Sequence, residues 1–315
     1  MNIFLINSND SGQRVDKFIT KSMPQLPKNM MYKLIRKKDI KINGKRCEIS
    51  TVLHEGDTVT IYVKDDLSAV KKHDLSFLDA PTDLDIAFED KNIIVVFKNT
   101  GIDSHSGSGS SDTLINRIKH YLYNKKEYIP EQESSFAPAL CSRLDRNTSG
   151  LVTAAKNATA LREINAAIQK SNVRKIYHCV CISPPPRNND IVSAYHRKDA
   201  SENLALISDI PEIGYKPIKT GYKVLGRNGR LTLVEITLFT GRTHQIRAHL
   251  AHIGAPILGD GKYGDLEINK QFGVFSQQLC AFSLEFKIPE DSPLFYLNHL
   301  KITASTPDFE KKYFA

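Results

Sequence analysis

The middle of the chain carries a polar run that leads straight into an apolar one, Ser142-Arg143-Leu144-Asp145-Arg146-Asn147-Thr148-Ser149-Gly150-Leu151-Val152-Thr153-Ala154-Ala155. The apolar half predicts a buried strand, and Asn157 just beyond it is placed to cap a helix. Further strands are predicted at residues 93–97, 176–181 and 231–238. Many strands combined with few helices predict an α+β domain around a large sheet.

Composition narrows the classes of protein to which this chain can belong. It has 315 residues, of which 41% are hydrophobic and 25% are charged. At about 150 residues per domain, this length predicts two domains, each with its own core. No stretch approaches the ~20 apolar residues of a membrane span, and the first residues lack a secretory leader. Five cysteines without a Cys-x-x-Cys pair favour a protein that stays in a reducing cytoplasm.

Residues 1–65 are predicted to form a compact unit of two short helices and a small sheet. Pro27 suits the first turn of the second helix, and Asn43-Gly44 favours a tight turn between strands. Residues 66–82 have weak periodicity and are interpreted as a linker. A second domain is therefore expected to span residues 83–315.

The net charge of +8 is concentrated in one short segment. Residues 28–46 contain eight basic side chains and one acidic side chain, Asp39, for a local balance of +7. Such a patch attracts a polyanion, because each phosphate contact releases condensed counterions. A basic surface without a partner is the alternative, and the charge pattern leaves it open. The basic cluster consists of Lys28, Lys33, Arg36, Lys37, Lys38, Lys41, Lys45 and Arg46.

Three segments are denser in polar groups than a structural role requires. In the first, Asp145 lies between Arg143 and Arg146, and nearby positive charge favours the ionised form of a carboxyl group. A carboxylate held in this state suits catalysis. The alternative is a structural ion pair between sequence neighbours, and such pairs outnumber catalytic ones.

The second segment is a predicted strand in which Tyr177 shares a face with Lys175 and Cys179. A tyrosine ring can stack on a nucleic acid base while its hydroxyl group makes a hydrogen bond. More often a tyrosine in a strand is part of the core, so this segment alone is a weak signal.

The third segment, residues 241–254, is predicted to contain a helix that Thr243 caps and Gly254 ends. Arg247 lies in its middle, where a lysine directed to solvent is commoner. His249 and His252 are one turn apart, which suggests a zinc site. Zinc needs a third or fourth ligand, however, and the usual His-Glu-x-x-His signature is absent, so no metal is predicted.

The N-terminal pattern consists of four segments, at residues 12–18, 27–37, 41–45 and 55–57. Together they resemble the small S-four (alpha-L) RNA-binding domain. In that family the second helix and the turn after it present basic side chains to structured RNA. The resemblance implies the same role for the basic cluster.

Four motifs of the larger domain occur together and in order: Arg143-Leu144-Asp145-x-x-Thr148-Ser149-Gly150, Lys175-x-Tyr177, Gly241-Arg242-Thr243-His244-Gln245-Ile246-Arg247 and Pro256-Ile257-Leu258-Gly259-Asp260. They resemble the RluA-type pseudouridine synthase family, in its large-subunit ribosomal RNA branch with an N-terminal S-four domain. Residues 27–37 are most similar to the RluC subgroup. The resemblance covers nearly the whole chain and implies a catalytic domain on a large mixed or antiparallel sheet flanked by helices.

The resemblance implies an isomerase that converts uridine to pseudouridine in 23S ribosomal RNA without a cofactor. It implies Asp145 as the nucleophile, Tyr177 stacked on the target uracil and Arg247 paired with Asp145. The substrate-binding residues that it implies are Arg143, which enters the RNA stack when the base is flipped out, Thr148 and Ile246. The expected partner is large-subunit ribosomal RNA, naked or in an assembling subunit, and the protein is expected to be a monomer that does not bind membranes.

Three positions depart from the family pattern. The usual Lys-Pro after the first strand is Lys98-Asn99, the usual His before Arg-Leu-Asp is Ser142, and the usual Leu-His-Ala near the end is Leu279-Cys280-Ala281. None removes a residue to which the resemblance gives a catalytic role. Ser142 leaves open how the flipped-out site is filled, and Cys280 leaves the C-terminal packing open.

Two other functions stay open from the sequence. A noncatalytic ribosome-assembly factor would use the basic cluster but leave the motifs around Asp145, Tyr177 and Arg247 unexplained. A metal-dependent RNA hydrolase would use His249 and His252 but would not involve Asp145. Isomerising uridine breaks the bond between ribose C1′ and N1 and rejoins the base through C5 without a redox change, so a carboxylate, an arginine and an aromatic face are suitable groups.

Overall fold

The computed structural model describes residues 1–63, 74–105, 110–199 and 201–315. Within these residues the chain forms one four-stranded sheet and one eleven-stranded sheet. This architecture confirms the predicted α+β class. None of the described helices is long and apolar enough to cross a bilayer.

The four-stranded sheet belongs to the N-terminal unit and is antiparallel. Its strands lie in the order β1-β4-β2-β3 and are β1 (Asn2–Leu5), β2 (Ile40–Ile42), β3 (Lys45–Arg46) and β4 (Thr58–Ile61). Two helices, α1 (Val15–Ser22) and α2 (Lys28–Arg36), share its apolar core. Pro27 is the extended residue immediately before α2, one position earlier than the sequence predicts. Two short helices with a small sheet are thus confirmed.

The eleven-stranded sheet is mixed, because β8 and β14 run parallel while the other pairs run antiparallel. Its order is β11-β10-β12-β13-β9-β14-β8-β6-β5, with β15 beside β14 and β7 beside β8. The strands are β5 (Asp85–Glu89), β6 (Ile93–Lys98), β7 (Ala139–Leu140), β8 (Ser149–Ala155), β9 (Val173–Cys181), β10 (Asn189–Asp199), β11 (Leu204–Ser208), β12 (Lys216–Asn228), β13 (Leu231–Leu238), β14 (Leu279–Phe286) and β15 (Lys301–Thr303).

Helices pack on both faces of this sheet, since side chains alternate along each strand. In β6, Ile94 and Val96 contact one buried cluster while Ile93 and Val95 contact another. The helices are α3 (Leu114–Asn124), α4 (Ala158–Gln169), α5 (Gln245–His252), α6 (Leu266–Phe272) and α7 (Asp308–Phe314). The predicted cap is confirmed, because Asn157 accepts a hydrogen bond from the Ala160 backbone N–H at 2.8 Å.

The predicted linker lies partly outside the described residues, at 66–73. Its second half differs from a free linker. Residues Ser76–Asp79 form a 3-10 helix whose Phe77 is buried in the core of the larger unit, and the Ala80 carbonyl lies 2.7 Å from His120 Nδ1. Residues 76–80 therefore pack as part of the larger unit, because the sequence provides Phe77 as an apolar anchor.

The two units contact each other through polar groups. Asn9 donates a hydrogen bond to Glu133 at 2.6 Å, and Gln13 donates one to Ser135 at 2.7 Å. The Ser135 hydroxyl group in turn donates to Asp10, which is fully buried.

A close crossing of backbones fixes the place where β8 begins. Gly150 has φ +117°, and a Cβ atom there would lie 2.4 Å from the backbone nitrogen of Ala281 on β14. Only glycine fits so close an approach with this backbone angle. The polar loop that ends at Gly150 is consequently anchored at the centre of the sheet.

Candidate active site

A cleft of about 580 Å³ opens at the start of β8, where the polar loop meets β9 and α5. A volume of this size suits a small-molecule or nucleotide ligand. Its lining includes the six residues that the sequence assigned to catalysis and substrate binding, Arg143, Asp145, Thr148, Tyr177, Ile246 and Arg247.

The backbone of the Asp145 loop is clamped on both sides of the carboxylate. On one side, the Ser104 hydroxyl group donates to the Leu144 carbonyl at 2.7 Å and accepts from the Leu144 N–H at 3.2 Å. On the other side, the Lys98 ammonium group donates to the Arg146 carbonyl at 2.9 Å. These contacts hold Asp145 in position before any substrate arrives.

Lys98 is fully buried and points its amine at three backbone carbonyls, those of Asn99, Ile102 and Arg146. Burial lowers the pKa of Lys98 to about 8, and the charge of Asp145 opposes that shift. Because an ammonium group has three N–H donors, the three carbonyls match its charged form. Asn99 keeps its carbonyl contact with Lys98, so the departure from Lys-Pro leaves this arrangement intact.

Arg247 joins Asp145 to a second aspartate. Its Nη1 donates to Asp145 Oδ2 at 2.9 Å, while Nε and Nη2 donate to the two oxygens of Asp260 at 2.7 and 2.9 Å. Burial opposes the charge on Arg247, but hydrogen bonds and charge from Asp260, then Asp145, outweigh it and raise its pKa. The buried guanidinium group is thus fully charged and has one fixed orientation.

Asp260 is the more deeply buried of the two carboxylates, with no exposed surface. Burial favours its neutral form, yet Arg247 and the backbone N–H groups of Lys262 and Tyr263 outweigh that effect and lower the pKa of Asp260. Asp145 is more accessible, with its side chain 23% exposed. Asp260 therefore anchors Arg247, and Arg247 presents its remaining N–H to Asp145.

Asp145 forms a long-range ion pair with Arg247 instead of the local ion pair that the sequence suggested. Arg143 is exposed, and Arg146 donates from Nε to the Gly101 carbonyl at 3.1 Å. Within the described residues neither forms an ion pair with Asp145. Local spacing could not reveal this, because the partner of Asp145 comes from α5.

The start of α5 differs from the predicted Thr243 cap. His244 is the residue immediately before α5, and it has left-handed backbone angles, φ 53° and ψ 19°. Thr243 lies outside the helix, with its carbonyl 2.9 Å from His196 Nε2. Instead of a capping hydroxyl group, the Gln245 side chain ties the turn down by accepting from Arg242 N–H and donating to Thr220. The Thr243 cap prediction is therefore wrong.

Tyr177 lies on β9 with its ring in the core cluster and one edge on the cleft. Burial, and secondarily the charge of Asp145, raise the pKa of Tyr177, so its hydroxyl group stays protonated. Lys175, two residues earlier, also lines the cleft, and burial lowers its pKa. Ile246 closes the apolar side of the same space.

The polar residues at the rim of the cleft differ in how exposed they are. Arg143 is exposed and Ser142 is half-buried in the cleft wall. Thr148 is only 2% exposed, and its hydroxyl group accepts a hydrogen bond from Gln277 at 3.1 Å. Arg143 is therefore accessible at the rim, whereas Thr148 is buried beneath the loop.

His249 and His252 do not converge on one point. His249 is buried with Nδ1 3.0 Å from the Thr220 hydroxyl group, and His252 lies 2.8 Å from Asp209. Burial lowers the pKa of His249 to about 4. Across the described parts of the chain, no group of three or more His, Cys, Asp or Glu side chains is arranged to hold a metal ion.

The side chains of the basic cluster are largely exposed on the N-terminal unit. Met31, Leu34 and Ile35 face the core of α2, so Lys33 and Arg36 face solvent. Seven of the eight cluster residues are exposed, and Lys41 is half-buried with its amine 5.5 Å from the Tyr62 ring centre. None of the eight pairs with an acidic side chain among the residues that the structure describes.

Cys280 departs from the family pattern without disturbing the packing of β14. It is fully buried opposite Ser149 of β8 and His178 of β9. Burial raises the pKa of Cys280 to about 11, so it is an unreactive thiol.

Three residues of the site escaped the sequence interpretation: Ser104, His244 and Asp260. Asp260 had a usable signal, since it ends the Pro256-Ile257-Leu258-Gly259-Asp260 motif and the five N–H donors of an arginine can bind more acceptors than the two oxygens of one carboxylate provide. Ser104 and His244 had none, because one hydroxyl group in a polar loop and one histidine in a polar motif are indistinguishable from their neighbours.

Two family models match the chain. The model for RNA pseudouridylate synthase covers residues 92–252, and the S4 domain model covers residues 13–59. The chain belongs to the RNA pseudouridine synthase family. It is an enzyme of this class with an N-terminal S4 domain, as the motifs around Asp145 and Arg247 had suggested.

Relatives cover almost the whole chain. An uncharacterized RNA pseudouridine synthase of Mycoplasma capricolum is 33% identical over 98% of this chain and 99% of its own length. The ribosomal large subunit pseudouridine synthase C of Escherichia coli is 32% identical over 91% of this chain and 89% of its own length.

Solved structures share the fold of the larger unit. Human RNA Pseudouridylate Synthase Domain Containing 4 superposes with a TM-score of 0.56 at 21% identity, covering 71% of this chain and 89% of its own. Human RNA Pseudouridylate Synthase Domain Containing 1 gives 0.53 at 21% identity, covering 73% and 94%.

Proposed function

We propose that this RNA pseudouridine synthase modifies uridines of large-subunit (23S) ribosomal RNA, with Asp145 as its nucleophile. The choice of RNA is supported by relatives named for the large ribosomal subunit, which cover about nine-tenths of the chain. The choice of nucleophile rests on one observation. Arg247 binds Oδ2 of Asp145, while Oδ1 has no hydrogen-bond partner among the described residues and is free to attack in the cleft.

The proposed reaction uses the chain's own groups throughout. Oδ1 of Asp145 attacks ribose C1′, the C1′–N1 bond breaks, and its electron pair leaves with the uracil. The detached ring turns while it is held between Tyr177 and Ile246. Its C5 then attacks C1′ and displaces the carboxylate. The C5 proton is lost to solvent and N1 gains a proton, so no oxidant, reductant or cofactor is consumed.

The target uridine must leave its stack to reach Asp145, because the cleft encloses its reacting groups. Arg143 is exposed at the rim, which suits it to fill the gap in the RNA when the base is out. Thr148 supports binding indirectly by fixing the loop that carries Asp145.

The division of labour between the two units forms part of the proposal. Residues 1–65 tether RNA through the basic cluster, and residues 83–315 carry out the chemistry. We also propose that the protein acts as a monomer. The five free cysteines support a cytoplasmic location.

The test is release of tritium from ribosomal RNA labelled at uridine C5, because pseudouridine formation exchanges that hydrogen with solvent. We expect stoichiometric release from large-subunit RNA, unchanged by a chelator, and mapping of pseudouridine to a few sites. Release only from small-subunit or transfer RNA would contradict the proposed substrate. Strand cleavage that a chelator blocks would favour a metal-dependent hydrolase, and binding without release would favour an assembly factor.

A further inference from the structure

His244 is the second polar side chain beside the carboxylate of Asp145. Its Nε2 lies 3.8 Å from Asp145 Oδ2, the same oxygen that Arg247 binds at 2.9 Å. The side chain is 9% exposed and lines the cleft. The reaction proposed above gives it no role.

The backbone of His244 is held in an uncommon conformation. Its φ of 53° lies in the left-handed region, which costs about 1 kcal/mol or more for a residue other than glycine. Such conformations persist where surrounding contacts impose them, and they cluster at functional sites. Here the turn is imposed by the Gln245 side chain, whose oxygen accepts hydrogen bonds from the Thr240 hydroxyl group and the Arg242 backbone N–H.

A hydrogen-bonded chain favours one of the two ring nitrogens of His244 as the site of the proton. The Ala205 backbone N–H donates to the Tyr263 hydroxyl oxygen at 2.6 Å, which leaves the hydroxyl proton available to another acceptor. The nearest acceptor is His244 Nδ1, 3.0 Å from that oxygen. With Nδ1 accepting, a neutral imidazole carries its proton on Nε2, which faces Asp145.

We propose that His244 is a positioning residue for Asp145, held by Tyr263 as the neutral Nε2–H tautomer with this N–H directed at Oδ2. Resting on the proposed role of Asp145 as nucleophile, the assignment means that two N–H groups fix the orientation of the carboxylate through Oδ2. Oδ1 is then left to attack, in one orientation. Ala205 on β11 donates a hydrogen bond to the Tyr263 hydroxyl oxygen, and the Tyr263 hydroxyl group donates to His244. His244 in turn orients the reacting carboxylate.

The groups around His244 favour a neutral ring. Burial lowers the pKa of His244, and the charges of Arg247 and Lys262 lower it further, against the carboxylates of Asp145 and Asp260. Protonation would also require Nδ1 to give up the hydrogen bond from Tyr263. A neutral donor orients Asp145 without neutralising its charge, whereas an imidazolium ion would pair with the nucleophile and weaken it.

Four variants test the proposal in the full-length enzyme. His244→Asn tolerates the left-handed backbone but is too short to reach Oδ2. His244→Gln places an amide N–H near the position of Nε2. Tyr263→Phe keeps the ring and removes the hydroxyl group. His252→Asn changes an exposed histidine on the same helix and serves as the matched control.

The first measurement is imidazole nitrogen NMR of the free enzyme, with His244→Asn to assign its signals. We expect a neutral ring with the proton on Nε2 at pH 7. As the pH falls, the ring should become protonated at a higher pH in Tyr263→Phe than in wild type. A proton on Nδ1, or an imidazolium ion at pH 7, would overturn the proposal. This result does not depend on turnover, so it stands apart from failure of the proposed function.

The second measurement is single-turnover tritium release with RNA affinity determined separately. His244→Asn should be about ten-fold slower at unchanged affinity, with partial recovery in His244→Gln and wild-type rates in His252→Asn. In a plot of the single-turnover rate against pH, the acid limb should lie at higher pH for Tyr263→Phe than for wild type. If His244→Asn keeps the wild-type rate, or loses only affinity, then His244 does not position Asp145.

Discussion

The basic cluster on the N-terminal unit and the buried Arg247 in the cleft use similar cations in opposite ways. The cluster places Lys33, Arg36 and Lys37 in solvent, where they have no acidic partner among the residues that the structure describes. Arg247 has a side chain that is 7% exposed and contacts two carboxylates within 3 Å. The charges of the basic cluster stay available to a ligand, whereas the charge of Arg247 is already paired with carboxylates.

The difference follows from the cost of removing a charge from water. An exposed cation keeps its hydration, contributes modestly and is screened by salt, so several must act together. A buried cation has lost its hydration and needs closely placed carboxylates, so each bond matters and orientation is defined. We therefore expect the residues of the basic cluster to contribute to RNA binding cumulatively. The role of Arg247 should instead depend strictly on the geometry of its hydrogen bonds.

The largest expected effect in the cleft comes from Asp145→Asn. The amide is isosteric but cannot attack C1′, so single-turnover formation of pseudouridine should fall by at least about 10³-fold. Asp260 still neutralises Arg247, so the fold and RNA affinity should be retained. Tritium release and filter binding measure the two quantities. Asp209→Asn, on an exposed carboxylate, is the control, and an Asp145→Asn variant with near-normal turnover would exclude Asp145 as nucleophile.

Replacing Arg247 should affect both rate and stability. Arg247→Lys keeps a charge but loses the planar fork, so turnover should fall by about ten-fold or more at similar RNA affinity. Arg247→Met leaves Asp260 buried without a counter-charge, which should cost about 3–5 kcal/mol of unfolding free energy.

A double mutant distinguishes charge burial from packing in this prediction. Urea unfolding of Arg247→Met combined with Asp260→Asn should recover part of the stability lost in Arg247→Met alone. Additive losses would show that Arg247 and Asp260 do not act as a pair. A Lys variant as fast as wild type would show that the fork does not orient Asp145.

Neutralising the basic cluster should weaken binding while leaving the chemical step unchanged. The triple variant Lys33→Gln, Arg36→Gln and Lys37→Gln should reduce the slope of log Kd against log salt by about 2–3, through the loss of about three phosphate contacts. Single-turnover rates at saturating enzyme should stay at the wild-type value. Gln substitutions at Lys91, Lys287 and Lys301, exposed on the larger unit, are the control.

An unchanged salt slope in the triple variant would mean that RNA binds elsewhere. A slower chemical step at saturation would mean that the cluster does more than tether.

The smallest effect on activity is expected at His249, which is buried and has no ionic partner within the described part of the chain. Burial lowers its pKa from 6.5 to about 4, so as the pH falls the unfolded chain binds a proton at this residue before the folded chain does. The resulting stability is complete above pH 6.5 and is lost as the pH falls towards 4. His249→Gln retains a partner for Thr220 and should flatten this acid dependence in urea unfolding, with tritium release nearly unchanged.

The outcome at His249 also bears on metal chemistry. Loss of activity in His249→Gln together with inhibition by a chelator would support the hydrolase alternative. An acid dependence as steep as that of wild type would contradict the lowered pKa.

Strong local patterns predicted the elements around the site. The strand-like run at 231–238 matches the bounds of β13, and the apolar run after Gly150 lies within β8. The long strands β10 and β12 escaped prediction, because their exposed stretches mix lysines with isolated apolar residues and therefore lack a clean period.

The amino-acid sequence alone determined the two units, the family, the basic cluster and the identity of the motif residues, since all of these depend on neighbours along the chain. The family resemblance also implied the pairing of Arg247 with Asp145, but only the tertiary structure showed that Asp260 and His244 join this pair. Arg247 reaches Asp145 across 102 positions and Asp260 across 13, and Tyr263 meets His244 across 19. Nothing local encodes those pairings, because they form only when β8, β9 and α5 pack together and water is excluded from the charges between them.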